Sequence, residues 1–302
     1  MNKGTLHALG AYLLWGFLPV YWKAIHDVSA PQILANRIVW SFVMLGIIIT
    51  LRRDWHVLRQ AVSNRRTLVM FLIASCLLSV NWLTYIWGVN AGFIVETSLG
   101  YFINPLVNVV FGVIFLKERL RPLQWLPVGL AAAGVLYLTL SYGSLPWIAL
   151  VLAFTFGLYG LAKKTAPLGS LHGLTLETGL LALPALLFLI IVEQRGSGAL
   201  GHVGAAQNTL LVLTGLVTAL PLLLFGSAAR QIPLTTIGIL QYIAPTCQFL
   251  LGVFVYHEAF APDRLIGFGL IWLALAIFWI ENYLAYRRAQ ADYGSISATT
   301  GK

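Results

Sequence analysis

Charged side chains are scarce in this chain: Asp, Glu, Lys and Arg together make up only 10% of its 302 residues. A soluble domain carries about 25% charged and about 45–50% apolar residues, whereas hydrophobic residues reach 59% here. This balance excludes an ordinary soluble fold. Because the apolar residues fall in blocks of about 20, the length that crosses a bilayer core as a helix, they predict an all-α membrane protein.

Cysteines and nucleotide-binding motifs are also few or missing. The two cysteines, Cys76 and Cys247, lie inside apolar blocks without partner spacing, so neither a disulfide framework nor a metal site is predicted. The chain has no P-loop pattern, and its longest connections, near 52–67 and 193–207, are too short for a folded domain. These absences exclude ATP hydrolysis by this chain as a driving force. No Ser/His/Asp or metal constellation predicts an enzyme, and no cofactor is expected.

Ten apolar blocks predict ten transmembrane helices. Their expected bounds are 5–23, 31–51, 68–90, 95–116, 122–140, 145–163, 171–192, 208–229, 234–256 and 265–286.

The second half of the chain repeats the first at a shift of 140 residues. Matching pairs include Pro105 with Pro245, Glu118 with Glu258, and Gly129 with Gly269. The prolines predict kinks that serve either gating or static shaping, and the glutamates are expected to make structural pairs with loop backbone or arginine.

Five helices in each copy make the second copy enter the membrane from the opposite side. The sequence therefore predicts an inverted five-plus-five repeat. Its expected domains are a first repeat at 1–141 and a second at 142–288, followed by a disordered cytoplasmic tail at 289–302.

The basic residues predict the orientation. With the N-terminus in the cytoplasm, cytoplasmic segments carry fifteen basic residues, including Lys163 and Lys164, against three on the outer side. This bias predicts a multi-pass protein of the cell (inner) membrane with both termini cytoplasmic. On the same ground the net charge of +9 is assigned to loop anchoring rather than to nucleic acid.

Several motifs resemble those of a known family. The two copies read Asn104-Pro105 … Glu118-Arg119-Leu120 and Ala244-Pro245 … Glu258, and the chain opens with Leu14-Trp15-Gly16-Phe17-Leu18-Pro19 and Ala35-Asn36-Arg37. These features resemble the drug/metabolite transporter superfamily, within it the EamA-type permeases and their RarD subfamily.

The resemblance implies a secondary transporter of small organic molecules that works by alternating access and exports metabolites or drugs. A facilitative, channel-like permease is the alternative, although the sequence has neither a charged ring nor a filter-like motif. Expected partners are a small-molecule substrate and the lipid bilayer, with proton coupling and a monomer or homodimer left open.

Three ionisable residues fall inside predicted helices, where charge is costly and marks a candidate functional site: Arg37, Glu96 and Glu177. Arg37 and Glu96 have matching depths near the outer face. They either form a pair that holds a substrate carboxylate or zwitterion, or a pair that opens when Glu96 takes a proton. The alternative is that both only snorkel to the interface or link two helices. Glu177 is a candidate proton or cation site, or is simply exposed near the cytoplasmic end of its helix.

Two polar faces occupy equivalent positions in the two copies: Tyr101, Asn104 and Asn108 in one, and Gln241, Ala244 and Gln248 in the other. They predict either the lining of a cavity or interhelical hydrogen bonds. The predicted substrate-binding residues are Trp15, Arg37, Asn81, Tyr85, Glu96, Tyr101, Asn104, Gln241, Tyr242 and Gln248, and the coupling candidates are Glu96 and Glu177. Trp22 is expected to be an anchor at the membrane interface.

Overall fold

The computed structural model describes residues 2–91, 93–142, 146–255 and 263–300, and these contain helices and no strand. The α-helices are α1 (Lys3–Lys23), α2 (Ala30–Arg52), α3 (Trp55–Ser63), α4 (Arg65–Asn90), α5 (Ile94–Phe115), α6 (Trp125–Tyr142), α7 (Trp147–Thr165), α8 (Ser170–Gln194), α9 (Ala205–Gln231), α10 (Leu234–Gln241), α11 (Ile243–Leu250) and α12 (Asp263–Thr300). A 3₁₀ turn (Pro122–Gln124) precedes α6, and a π turn (Leu251–Val255) follows α11. The last helix includes residues 289–300 of the segment 289–302 that we expected to be a disordered tail.

Seven helical segments of the described chain are long and apolar enough to cross a membrane. They are Ala30–Arg52, Arg65–Tyr85, Pro122–Ser141, Trp147–Thr165, Ser170–Gln194, Ala205–Gln231 and Leu265–Ala285. This agrees with the predicted all-α membrane class. Three of the ten predicted spans are not among them: α1, α5 with its shorter apolar part Leu99–Phe115, and the ninth block, which is divided between α10, α11 and the π turn.

The two equivalent prolines have different effects on their helices. Pro105 lies inside the continuous helix α5, whereas Pro245 follows a break at Tyr242 between α10 and α11. Proline lacks the N–H that would bond to the carbonyl four residues earlier, and its ring crowds that carbonyl. For Pro245 that residue is Gln241, the last residue of α10.

The helices recur along the chain at the spacing of the sequence repeat. The helices α2, α4 and α5 begin at residues 30, 65 and 94, and α8, α9 and α10 begin at 170, 205 and 234. The packing recurs as well. Helix α1 packs on α9 and α11 as α7 packs on α4 and α5, and α2 packs on α9 as α8 packs on α4. Glu258, a member of the predicted repeat, lies outside the described residues.

The helices form one main packed region with a pair at its edge. Apolar residues of α1, α2, α4, α5 and α7–α10 form the largest buried cluster, while α6 and α12 pack on each other beside α5 and α10. Large apolar side chains also cover the outside of the bundle, for example Leu140 and Leu183, which are 71% and 65% exposed. A bilayer removes such side chains from water, so this surface fits a lipid-facing exterior.

Candidate functional site

A cavity of about 100 Å³ lies among the helices of the main packed region. Space of this size holds several water molecules or a small organic group. Its lining residues are Tyr12, Trp15, Leu18, Pro19, Trp22, Arg37, Trp82, Tyr85, Tyr101, Phe156, Thr218, Leu222, Gln241, Ala244, Pro245 and Gln248. The lining is therefore largely aromatic, and within the described part of the chain Arg37 is its one charged residue.

Arg37, on α2, is held in the cavity by neutral groups. Its Nε donates a hydrogen bond of 2.9 Å to the hydroxyl of Thr218 on α9. The guanidinium carbon lies 4.9 Å from the ring centroid of Trp22 and 4.6 Å from that of Trp82, which are cation–π distances. Among the side chains that the structure describes, no carboxylate forms an ion pair with Arg37. Glu96 lies in α5 but its side chain is outside that set, so the Arg37–Glu96 pair stays a prediction.

Five rings pack together at one side of the cavity, and we call them the aromatic cluster: Tyr12, Trp15, Phe156, Tyr159 and Phe225. Tyr12, Trp15 and Phe156 also line the cavity. Phe156 and Phe225 have centroids 5.3 Å apart, and Tyr159 stacks on Phe225 at 6.2 Å. The cluster joins α1, α7 and α9, and such ring pairs add about 0.5–1.5 kcal/mol each to apolar burial.

A buried ion pair adjoins the aromatic cluster. Nζ of Lys163 lies 2.9 Å from Oε1 of Glu177, and the hydroxyl of Tyr159 donates to Oε2 of Glu177 at 3.0 Å. The side chains of Lys163 and Glu177 are 3% and 0% exposed. Glu177 is thus not simply exposed at the end of its helix, and Lys163 is not a solvent-exposed loop anchor. This ion pair joins α7 to α8. Moving the two helices apart would break it and leave a buried positive charge and a buried negative charge without their ionic partners.

Further polar contacts join the helix ends beyond this ion pair. The carboxylate of Glu118 accepts hydrogen bonds from the backbone N–H groups of Leu234, at 2.7 Å, and Thr235, at 2.9 Å. It therefore caps the N-terminus of α10, where the helix dipole favours negative charge. Lys164 donates to the carbonyls of Ala229, at 3.2 Å, and Ile232, at 2.7 Å, near the end of α9. The two hydrogen bonds from backbone N–H groups to Glu118 agree with the structural role predicted for this residue.

Three buried amides, which we call the amide triad, connect α5 with α10 and α7. Nε2 of Gln241 donates to Oδ1 of Asn104, and Nδ2 of Asn108 donates to Oε1 of Gln241 at 2.7 Å. Nδ2 of Asn104 donates to the carbonyl of Ala153 at 2.7 Å. Gln241 alone among the three also lines the cavity.

Comparison with known proteins identifies the family. The sequence profile of the EamA-like transporter family matches residues 2–140. The chain is 46% identical to Protein RarD from Streptomyces exfoliatus, over 99% of this chain and 95% of that protein. The chain belongs to the EamA-like transporter family. Within this family it is a RarD-like member, and it is also 48% identical to the uncharacterized transporter YojE from Bacillus subtilis (strain 168), over 97% of this chain and 98% of YojE.

The family assignment identifies this EamA-family chain as a transporter, and its several long apolar helices identify it as a multi-pass membrane protein. A crystal structure of another protein has the same fold: it is 22% identical, with a TM-score of 0.68 over 91% of this chain and 96% of that one. Relatives named as transporters are consistent with the expectation that the chain is not an enzyme.

Six of the predicted substrate-binding residues of this EamA transporter come together in the cavity: Trp15, Arg37, Tyr85, Tyr101, Gln241 and Gln248. Asn81, Asn104 and Tyr242 do not line it. Nδ2 of Asn81 donates to the carbonyl of Leu152 at 2.9 Å, so Asn81 joins α4 to α7. Tyr242 is fully buried and stacks on Phe102. The sequence left open whether polar residues such as these line a cavity or make contacts between helices. In the structure, Asn81, Asn104 and Tyr242 make contacts between helices.

Sequence reasoning missed Lys163, Thr218 and Trp22. Lys163 ends an apolar block and was counted as a cytoplasmic anchor, although its four-residue spacing from Tyr159 puts both on one helix face. Trp22 was expected at the membrane interface, but it lines the cavity over Arg37. Thr218 is a single hydroxyl in an apolar helix and has no signal in the sequence.

Two glutamines of the cavity provide a matched test of the amide triad. We expect Gln241→Ala to lower stability by about 1–3 kcal/mol, because Asn104 and Asn108 each lose a buried hydrogen bond to Gln241. Among the described residues they keep only their bond to each other and that of Asn104 to a carbonyl of α7. Gln248→Ala should cost less, since partly buried Gln248 makes one hydrogen bond, to the carbonyl of Trp15. Unfolding midpoints of the two purified variants measure the difference, and equal midpoints would contradict the structural role of the triad.

Proposed function

We propose that this EamA-family chain is a secondary transporter that moves small organic molecules by alternating access, with the cavity as the substrate site. The observation that carries the proposal is a cavity flanked on one side by two successive barriers. The aromatic cluster comes first, and the Lys163–Glu177 ion pair comes next, connected through Tyr159. Alternating access requires a barrier of this kind on the side from which the site is closed.

We also propose ten membrane spans arranged as an inverted five-plus-five repeat. In addition to the seven apolar segments, α1, α5 and the α10–α11 segment would cross the bilayer. Support comes from helix starts that recur 140 residues apart and from helix contacts that recur between the halves. The excess of basic residues supports a cytoplasmic location for both termini and insertion in the cell (inner) membrane.

Helix α7 contributes to both barriers, the aromatic cluster and the ion pair. Helix α7 carries Phe156, Tyr159 and Lys163, whose partners Phe225 and Glu177 lie on α9 and α8. Movement of α7 away from α8 and α9 would open this side of the cavity, and in the proposed orientation this is the cytoplasmic side. Export of metabolites or drugs is the direction favoured by the family resemblance.

Glu177 provides a site where a proton could control this movement. Protonation of its carboxylate would remove the counter-charge of Lys163 and weaken the contact between α7 and α8. We therefore propose proton coupling at Glu177. Glu96 remains the second coupling candidate.

Transport by purified protein in liposomes tests this function. Amino acids, quaternary amines and amphenicols are first screened for ligands that raise the melting temperature, because a ligand that binds only the folded state stabilises it. We expect saturable uptake of such a ligand and counterflow driven by excess unlabelled ligand inside the liposomes. Uptake that neither saturates nor shows counterflow would favour the channel-like alternative instead.

A pH gradient tests the coupling. We expect an imposed gradient to increase the initial rate of transport by wild-type protein. The double variant Lys163→Met/Glu177→Gln should remove this dependence, because glutamine takes up no proton at this site and no buried charge is left without a partner. Equal rates with and without the gradient in wild-type protein would contradict proton coupling, while leaving alternating access in place.

A further inference from the structure

We propose that the substrate of this transporter is an organic anion, whose carboxylate or similar group binds the guanidinium of Arg37. The inference rests on the proposed function, because it names the class of molecule that the same cavity takes. Four observations carry it: the unused donors of Arg37, the charge of the cavity, an unpartnered hydroxyl and the rings that line the remaining wall.

The contacts that the described residues make with Arg37 leave the two terminal nitrogens of its guanidinium free to bind an anion. Within the described part of the chain it donates one hydrogen bond, from Nε to Thr218. Trp22 and Trp82 lie over the guanidinium at cation–π distance, and such stacking holds the planar group without using its N–H donors. The two terminal nitrogens carry four N–H groups, and this planar fork matches a carboxylate in two parallel hydrogen bonds.

The cavity has positive charge that the described side chains do not neutralise. Arg37 is the one charged residue among its lining, and the other buried cation nearby, Lys163, is already neutralised by Glu177. A single charge at membrane depth is costly, and an opposite charge offsets that cost. An anionic ligand would supply it, whereas a cationic ligand would be repelled despite the surrounding rings.

Tyr12 supplies a second donor that fits a ligand. Its side chain has no exposure, it lines the cavity, and its hydroxyl has no hydrogen-bond partner among the described residues. Buried polar atoms are normally hydrogen-bonded, so this hydroxyl is a candidate contact for a polar group of the substrate.

Aromatic rings form much of the rest of the wall, and they suit an apolar, planar body. Tyr85 and Tyr101 meet edge to face with centroids 5.6 Å apart, and Trp15 and Phe156 meet at 5.7 Å. Aromatic walls of this kind enclose apolar ligand groups while a few polar groups set their orientation. The expected substrate therefore combines an anionic group with an aromatic or other apolar body.

Three probes with one body and different charges test the inference: 3-phenylpropionate, 3-phenylpropan-1-ol and 3-phenylpropylamine. Binding to the full-length protein in detergent is followed by intrinsic tryptophan fluorescence, since Trp15, Trp22 and Trp82 line the cavity. We expect the anion to bind at least about tenfold more tightly than the alcohol, or about 1.4 kcal/mol. The amine should bind more weakly than the alcohol.

Substitutions of Arg37 test whether this residue causes the preference for the anionic probe. Arg37→Gln should remove the preference for the anion, while Arg37→Lys, which keeps the charge but loses the planar fork, should weaken it. The control is Arg59→Gln, because Arg59 is an exposed arginine on α3 and should leave binding unchanged. If Arg37→Gln does not fold, the wild-type comparison and Arg37→Lys still decide the question.

Three results would overturn the inference: equal affinity for all three probes, a preference for the amine, or no binding of any probe at millimolar concentration. Counterflow of labelled probe in liposomes separates this inference from the proposed function. Binding of the anion without counterflow would contradict the transport proposal alone, and counterflow of the alcohol or amine without a preference for the anion would contradict the inference alone.

Discussion

Replacement of Lys163 by methionine is expected to destabilise this EamA transporter by about 3–5 kcal/mol, the cost of leaving one charge of a buried pair without its partner. Glu177 has no exposure, and among the described residues the one hydrogen bond that would remain for its carboxylate comes from the hydroxyl of Tyr159. The measurement is the unfolding midpoint of purified protein. Lys3→Met is the matched control, because Lys3 is exposed at the start of α1.

The double variant Lys163→Met/Glu177→Gln distinguishes a missing partner from a general packing defect. It removes both charges and keeps a side chain that can bond to Tyr159, so we expect it to recover most of the lost stability. If the ion pair holds this side of the cavity closed, the double variant folds but loses the effect of a pH gradient on transport. A Lys163→Met protein that unfolds like the wild type would contradict the buried-pair argument.

Gly215→Ala is expected to cost about 3 kcal/mol, the upper part of the usual range for overpacking. A Cβ at Gly215 would lie 2.4 Å from the carbonyl carbon of Trp40 and 2.7 Å from the backbone nitrogen of Ser41. Backbone atoms cannot move aside as a flexible side chain can, so α2 and α9 must separate. The hydrogen bond from Arg37 to Thr218 joins the same two helices at the point where they cross. Separation of the helices would weaken this bond, and we therefore expect weaker binding of 3-phenylpropionate as well.

The control for this crossing is Gly46→Ala. Gly46 lies in α2, the helix that Gly215 of α9 approaches, but a Cβ at Gly46 would meet nothing within 4 Å. Alanine also favours helix by about 1 kcal/mol over glycine. We expect Gly46→Ala to unfold no earlier than the wild type. Equal unfolding midpoints for the Gly46 and Gly215 variants would contradict the close approach of the two helices.

Much of the architecture was predictable because the physics that sets it is local in sequence. A helix crosses a bilayer only if a block of about 20 residues is apolar, and such blocks can be counted. The family was predictable because its motifs are short and continuous, as in Asn104-Pro105 and Ala35-Asn36-Arg37. The break at Tyr242 was less predictable: Pro105 and Pro245 are equivalent in sequence, but only Pro245 follows a break between helices.

The substrate site stays a prediction, but the lining of the cavity could be predicted in part from the sequence. The residues that were expected there and lie elsewhere have one feature in common. Arg37, Tyr85 and Gln241 line the cavity as expected, whereas Asn104 faces other amides and a carbonyl of α7. A polar residue in a membrane helix must avoid lipid, and it can do so by facing either a cavity or another helix. Periodicity places such residues on an inward face but does not say which of these two surroundings they meet.

Composition and block length were therefore enough to predict a helical membrane protein, and short motifs such as Ala35-Asn36-Arg37 were enough to indicate its transporter family by resemblance. The contents of the site depended on contacts between residues far apart in the chain. The pairing of Lys163 with Glu177 and of Arg37 with Thr218 joins helices whose approach is set by packing. A lysine at the end of an apolar block has the same sequence pattern whether it meets water or a buried carboxylate, and only the neighbouring helix determines which it is.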